Sequence, residues 1–249
     1  MDAIILAAGR GSRLGNLTRE VPKPLTLLAG KSLVEWQINA LQVAGIQKIN
    51  LVTGYAGDKL IPYGDGHIYN PYWATSNMVR SLMSVDSLLS TQPYLISYGD
   101  IVYRSDIISD LLDSSGDISI TFDVDWWDLW SIRFIDPLSD AESFQHEHGR
   151  LLSIGERVSD RALINGQYMG LLKFNPMGWL QVRSILAGLD RVSVDKLDMT
   201  SLLRLLLQKG IKITVVPIRG GWVEVDNPSD IALYEHIIQQ PGWSHDWRV

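Results

Sequence analysis

The sequence contains no cysteine. Disulfides, thiolate-bound metals and a cysteine nucleophile are thereby excluded. The absence suits a reducing compartment, and a cytoplasmic location is the expectation. No run of about 20 apolar residues occurs, so no transmembrane helix and no membrane partner are predicted. The opening Met1-Asp2-Ala3-Ile4-Ile5-Leu6 lacks the basic leader and long apolar stretch of a signal peptide. A basic block is missing too: 22 Lys and Arg, against 28 Asp and Glu, are spread along the chain, with a formal net charge of −6. A nucleic-acid polymer is therefore not an expected partner, because such binding rests on neutralising many phosphates. A small phosphorylated ligand stays open, since a few local cations suffice for it. The five histidines form no Ser-His-Asp pattern, and there is no Walker loop.

What is present is the balance of a soluble globular protein: 46% hydrophobic and 20% charged residues over 249 positions, enough to bury a large core without staples. That length suits one domain over 1–249. Ala3–Ala8 is a short apolar run ending in glycine, which reads as a buried strand. Apolar residues at Leu33, Trp36, Ile38, Leu41 and Ala44 predict an amphipathic helix over Ser32–Ala44, stopped by Gly45, and Lys48–Thr53 is a second strand. The alternation continues with helix at Met78–Leu89, strand at Tyr94–Ser97, helix at Ser105–Leu112 and strand at Ile118–Phe122. Tyr168–Phe174 and Ile211–Val216 read as further strands, Met199–Gln208 and Pro228–Gln239 as helices. The fold class is α/β, a mostly parallel sheet flanked by helices. Ligands of such sheets sit beyond the carboxyl ends of the strands. Asp125–Glu142, rich in tryptophan, has no clean period and is expected to be an insertion or lid, roughly 124–165.

After the first strand comes Ala7-Ala8-Gly9-Arg10-Gly11-Ser12-Arg13-Leu14. Glycines let backbone N–H groups approach phosphate oxygens, and Arg10 and Arg13 add charged donors. Ten residues on, Pro22-Lys23-Pro24 presents a lysine whose backbone is restricted by two prolines. A glycine loop alone could be a dinucleotide loop or a tight turn. The spacing G-x-G-x-x-G is not met, because the third glycine, Gly15, comes one place late.

Ile4-Ile5-Leu6-Ala7-Ala8-Gly9-Arg10-Gly11-Ser12-Arg13-Leu14 followed by Val21-Pro22-Lys23-Pro24-Leu25 resembles the signature of the sugar-phosphate nucleotidylyltransferase superfamily. The resemblance implies a Rossmann-like domain joining a nucleoside triphosphate to a small phosphorylated acceptor with release of pyrophosphate. It also implies Mg²⁺ as cofactor. The nucleotide would lie against Leu6, Ala7, Ala8, Gly9, Arg10, Gly11 and Ser12.

Two aspartates suit the metal. Tyr94–Asp100 is a strand delivering Asp100 at its carboxyl end, and Trp222-Val223-Glu224-Val225-Asp226 does the same for Asp226. Magnesium takes oxygen ligands, commonly one or two carboxylates plus substrate phosphates. An acid at a strand end also serves as a helix cap or a solvated group. In similar enzymes two aspartates in matching places hold the metal. The catalytic set expected is thus Arg13, Lys23, Asp100 and Asp226.

Thr75, Ser76 and Asn77 open a helix and can cap it or read a base edge. Their segment, Asn70–Leu82, resembles the phosphocholine cytidylyltransferase branch, which implies CTP. A finer resemblance, to the phosphoglutamine cytidylyltransferases of capsular phosphoramidate synthesis, rests on four stretches. They are Ser97–Tyr103, Trp127–Glu142, Gln167–Phe174 and Asp198–Ser201, so it runs over nearly the whole chain. It implies an acceptor that is a small N-phosphorylated, phosphonate or phosphate-monoester metabolite. Arg133 and Lys173 could bind its anionic group. Trp126, Trp130 and Trp222, with Tyr168, could line its pocket or cover an ammonium. Asp125, Asp140 and Glu142 could pair with an amine or with Arg133. These side chains could equally just pack the insertion. A homo-oligomer is allowed. Transfer to a sugar 1-phosphate from another triphosphate, a non-catalytic nucleotide-binding subunit and a dinucleotide-dependent dehydrogenase are the competing possibilities.

Overall fold

The computed structural model describes residues 1–248. The chain opens with β1 (Asp2–Ala7), a 3₁₀ loop over Ser12–Thr18, and a small hairpin of β2 (Leu27–Leu28) and β3 (Lys31–Ser32). Helix α1 (Leu33–Val43) follows. Ser32 and Glu35 cap it reciprocally: the Ser32 N–H donates to the Glu35 carboxylate at 2.8 Å, and the Glu35 N–H donates to the Ser32 hydroxyl. Then come β4 (Ile49–Thr53), β5 (Gly66–Tyr69), α2 (Met78–Met83), α3 (Asp86–Leu89), β6 (Tyr94–Tyr98), β7 (Ile101–Tyr103), α4 (Ser105–Leu112) and β8 (Ile118–Asp123). The tryptophan-rich stretch forms α5 (Trp126–Arg133), followed by β9 (Glu142–Glu147), β10 (Arg150–Arg157) and β11 (Gln167–Phe174). The chain finishes with α6 (Pro176–Leu186), α7 (Arg191–Lys196), α8 (Met199–Gln208), β12 (Thr214–Ile218), β13 (Trp222–Glu224) and α9 (Pro228–Ile237).

Among the described residues the main sheet runs β5-β4-β1-β6-β11-β8-β12-β10-β9. β5, β4, β1 and β6 are mutually parallel, as are β8 and β12. β11 runs against both its neighbours, so the sheet is mixed but mostly parallel. Consecutive strand residues face opposite sides. Ile5 accordingly joins one apolar layer, with Leu33, Trp126 and Tyr234, while Ile4 and Leu6 join the other, with Phe122, Trp179 and Leu202. In α8 the buried residues are Met199, Leu202, Leu203 and Leu206, one stripe at helical spacing.

Three local expectations are redrawn. The single helix expected over Met78–Leu89 is broken into α2 and α3 at Val85, whose φ of −108° leaves the helical region. The strand expected at Ile211–Val216 begins at Thr214 and extends to Ile218. The stretch from Asp125 has a period after all: Trp126, Leu129 and Trp130 face inward from α5. Beyond it, β9 and β10 form a hairpin on the sheet edge.

Small pairings position the site. β7 pairs antiparallel with β13, setting Glu224 opposite Ile101, and the Val225 N–H donates to the Asp100 carbonyl at 2.9 Å. Two strand ends distant in sequence thus meet beside the carboxyl end of β1. No helix among the described residues is long and apolar enough to cross a membrane.

Candidate active site

A cavity of about 140 Å³ opens at the carboxyl end of β1. Its walls include Leu6 and Ala7 from the end of β1, Ala8 and Gly9 from the loop, Lys23, Ser76 and Asn77, and Asp100. Trp73, Ser81 and Gly99 also line it, and the sequence signals did not single these out. Gly99 is required by close approach: a Cβ there would stand 2.7 Å from the Leu6 carbonyl oxygen. Gly11 has φ +69°, and a Cβ on it would stand 2.7 Å from the Lys23 Cβ. The loop therefore folds directly over the lysine only because position 11 lacks a side chain.

Lys23 is buried, and its ammonium donates to Asp100 Oδ2 at 2.8 Å and to Asp226 Oδ1 at 2.7 Å. Arg13, largely exposed, reaches the same Asp226 oxygen at 2.7 Å. Burial alone would lower the Lys23 ammonium, but the carboxylates of Asp100, Asp226 and Glu224 outweigh it and hold the group above its ordinary value.

Glu224 completes the cluster. Asp100, Glu224 and Asp226 each offer a carboxylate oxygen, all within 4.8 Å of one another. Burial, then the charges of Asp226 and Asp100, push Glu224 well above the usual carboxylate range. Burial opposes ionisation of Asp226 as well, yet Lys23 and hydrogen bonding keep it below that range. Asp100 Oδ1 is buried with no hydrogen-bond partner among the described residues. An all-oxygen, anionic set with an unpartnered buried oxygen fits a hard divalent cation. Glu224 was not singled out from the sequence; the one local signal for it is its place two before Asp226, since alternate residues of an extended segment share a face.

The residues expected to read the base divide. Ser76 donates to the Tyr72 carbonyl at 2.7 Å, and Asn77 caps α2 by accepting from the Met78 N–H at 2.8 Å. The Asn77 N–H donates to the Asp195 carbonyl at 2.7 Å, tying this segment to α7. Thr75 is exposed and outside the cavity wall. Arg10 stacks over the Tyr55 ring at 5.4 Å, and Ser12 starts the 3₁₀ turn.

The expected acceptor residues are scattered. Lys173 lies at the opposite end of the sheet, in register with Leu95 and Ser119, and its ammonium is bonded to the carbonyls of Leu112 and Ser114. It cannot reach a ligand at Asp100, because β11 runs antiparallel and places position 173 at the amino end of β6. Trp126, Trp130 and Trp222 are at most 4% exposed and pack against one another. The Trp130 and Trp222 N–H groups are spent on Asp140 and Asp123. They form core rather than open wall, as aromatic area favours. Asp125 pairs with Arg219 at 2.7 Å. Arg133 is close to the site but sits beneath the carboxylates, its side chain 1% exposed. Tyr168 is outside the cavity wall; its ring meets Tyr98, the residue before the wall residue Gly99, edge-on at 5.8 Å, and its hydroxyl has no partner among the described residues.

The chain is similar to several known proteins. Residues 3–138 match the MobA-like NTP transferase domain. A CTP:phosphoglutamine cytidylyltransferase of Campylobacter jejuni is 34% identical, over 94% of this chain and 98% of that protein. A 2-aminoethylphosphonate cytidylyltransferase of Lancefieldella rimae is 30% identical over 43% of this chain and 46% of its own. The solved structure of the inositol-1-phosphate CTP transferase from T. maritima superposes with a TM-score of 0.75, at 20% identity, covering 96% of both chains, a likeness of fold. The chain belongs to the MobA-like NTP transferase family and is a nucleotidyltransferase of its cytidylyltransferase branch.

Proposed function

We propose that this enzyme transfers CMP from CTP to a small phosphorylated or phosphonate metabolite, such as phosphoglutamine, phosphocholine or a phosphonate, with release of pyrophosphate. The observation that carries the reading is the meeting of Lys23 with Asp100, Glu224 and Asp226 at the rim of the loop cavity. The choice of CTP and of acceptor class draws on the named activities of the relatives.

An acceptor oxygen attacks the α-phosphorus, and the bond from that phosphorus to the bridging oxygen of the β-phosphate breaks. The acceptor oxygen is already anionic, so no strong general base is required. Such transfers rest on positioning and charge stabilisation. Backbone from Leu6 to Gly11 cradles the nucleotide. Arg13 neutralises the β- and γ-phosphates, and Lys23 turns from its carboxylates to the α-phosphate. Asp100 and Asp226, with Glu224, would hold a divalent cation, Mg²⁺ by chemistry, which supplies charge neutralisation and alignment of the phosphates. Ser76 and Asn77 face the base, and Tyr168 with Tyr98 borders the acceptor side.

Pyrophosphate release with CTP, UTP, GTP and dTTP, each against phosphoglutamine, phosphocholine, 2-aminoethylphosphonate and glucose 1-phosphate, tests the reading. A preference for CTP with one of the first three acceptors is expected. Equal use of all four nucleotides, or activity with the sugar phosphate alone, would overturn it.

A further inference from the structure

Resting on the reading of Asp100, Glu224 and Asp226 as a cation site, we infer that Arg133 is a positioning residue. Its buried guanidinium holds Glu224, and through Asp230 the backbone of Asp226, in the arrangement that takes the cation.

The geometry is a relay of three layers. Arg133 Nε and Nη2 donate to the two oxygens of Asp230, each at 3.3 Å. Nη1 donates to Glu224 Oε2 at 3.4 Å, and Nη2 lies 4.0 Å from Asp226 Oδ2. Asp230 Oδ2 in turn accepts from the Asp226 N–H at 2.8 Å and the Asn227 N–H at 2.9 Å. Asp230 also closes the cap of α9, so the segment from Glu224 into that helix is held at both ends. The guanidinium lies over the rings of Trp130 and Phe134, at 5.4 and 5.0 Å. With a side chain 1% exposed, Arg133 presents nothing to a dissolved acceptor. The planar fork matters: only arginine meets both Asp230 oxygens while a third nitrogen reaches Glu224. Groups that orient metal ligands from behind tune metal affinity strongly.

This separates two kinds of cation in the site. Lys23 lines the cavity and Arg13, largely exposed, reaches Asp226, so both can move to phosphates. Arg133 belongs to α5 and stays beneath. The tryptophan helix is thus tied mechanically to the cation site, which gives its packing a role beyond filling the core.

The test is a Mn²⁺ titration, followed by the paramagnetic signal of free Mn²⁺, on the full chain without nucleotide. Arg133→Lys retains the charge but not the fork; Asp230→Asn removes its partner; the double variant closes the cycle. Arg133→Lys and Asp230→Asn are each expected to weaken Mn²⁺ binding about 10-fold or more, with the double variant little worse than either. CTP binding in EDTA should stay within about twofold, and the acceptor KM should not carry the loss. Wild-type Mn²⁺ affinity in Arg133→Lys would overturn the inference, even with a lower melting temperature. So would a rise in acceptor KM alone, which would make Arg133 an acceptor ligand. Absence of Mn²⁺ binding by the unaltered protein would instead bring down the cation-site reading itself.

Discussion

Lys23 and Asp226 are 203 positions apart in the chain, and their charged groups meet at 2.7 Å. The same ammonium holds Asp100. One cation therefore links the loop after β1 to the carboxyl ends of two other strands. In the ligand-free protein it compensates carboxylates that would otherwise be buried together, a costly arrangement in a medium of low polarity. When triphosphate arrives, the lysine has a second set of anions to turn to.

Removing either end of this link should stop turnover. Lys23→Ala and Asp100→Asn are each expected to lower kcat by about 10²–10³-fold, the range for losing one preorganised charge at a transition state. Circular dichroism should show the fold retained. Near-normal pyrophosphate release in either variant would refute the assigned role.

Gly11→Ala attacks the lysine indirectly. The alanine would have to adopt φ +69° and place its Cβ 2.7 Å from the Lys23 Cβ. A backbone penalty on the order of 1–3 kcal/mol is expected, with a clear rise in KM for CTP. Stability by denaturant titration and KM by initial rates check both parts.

Glu224 makes a pH prediction. Burial and neighbouring carboxylates raise it in the folded state. The folded protein then binds more protons than the unfolded chain in the window between the ordinary carboxylate value and the raised one. Stability without divalent cation should fall as pH rises through that window. Mg²⁺ should reverse the fall, because it favours the ionised form. Glu224→Gln should flatten the pH dependence of the melting temperature and shrink the gain from Mg²⁺. An unchanged pH profile in Glu224→Gln would contradict this account.

Asp123 has the opposite sign. Although burial raises it, hydrogen bonds from His245, the Gly220 N–H and Trp222 hold it below its ordinary value. Its contribution is present above the unfolded value and is lost as pH falls through the folded one. Asp123→Asn leaves a donor facing donors, and a loss of about 1–3 kcal/mol is expected. Acid unfolding curves of the two proteins should converge at low pH.

Much of the architecture was legible because apolar periodicity reports burial directly. Met199–Gln208 and Ser105–Leu112 match α8 and α4 to the residue. The turn after β1 was legible because Gly9 and Gly11 act locally on the backbone, as Pro22 and Pro24 do on either side of Lys23. Arg133 and Lys173 were not placed correctly, because both are cations on regular elements and nothing local tells which end of a sheet, or which side of a carboxylate cluster, they reach. Register decided it: β11 runs antiparallel to β6, so Lys173 pairs with Leu95 far from Asp100.

By itself, then, the sequence determined what depends on neighbours along the chain: the α/β alternation, the loop from Leu6 to Arg13, and the acids at Asp100 and Asp226. Only the tertiary structure decided what depends on the pairing of distant strands. It brought Glu224 into the carboxylate cluster, set Lys23 between Asp100 and Asp226, and buried the tryptophans around Arg133 instead of opening them to an acceptor. The physical reason is that charge and hydrogen-bond partners are chosen in space, by whichever buried groups would otherwise go unsatisfied.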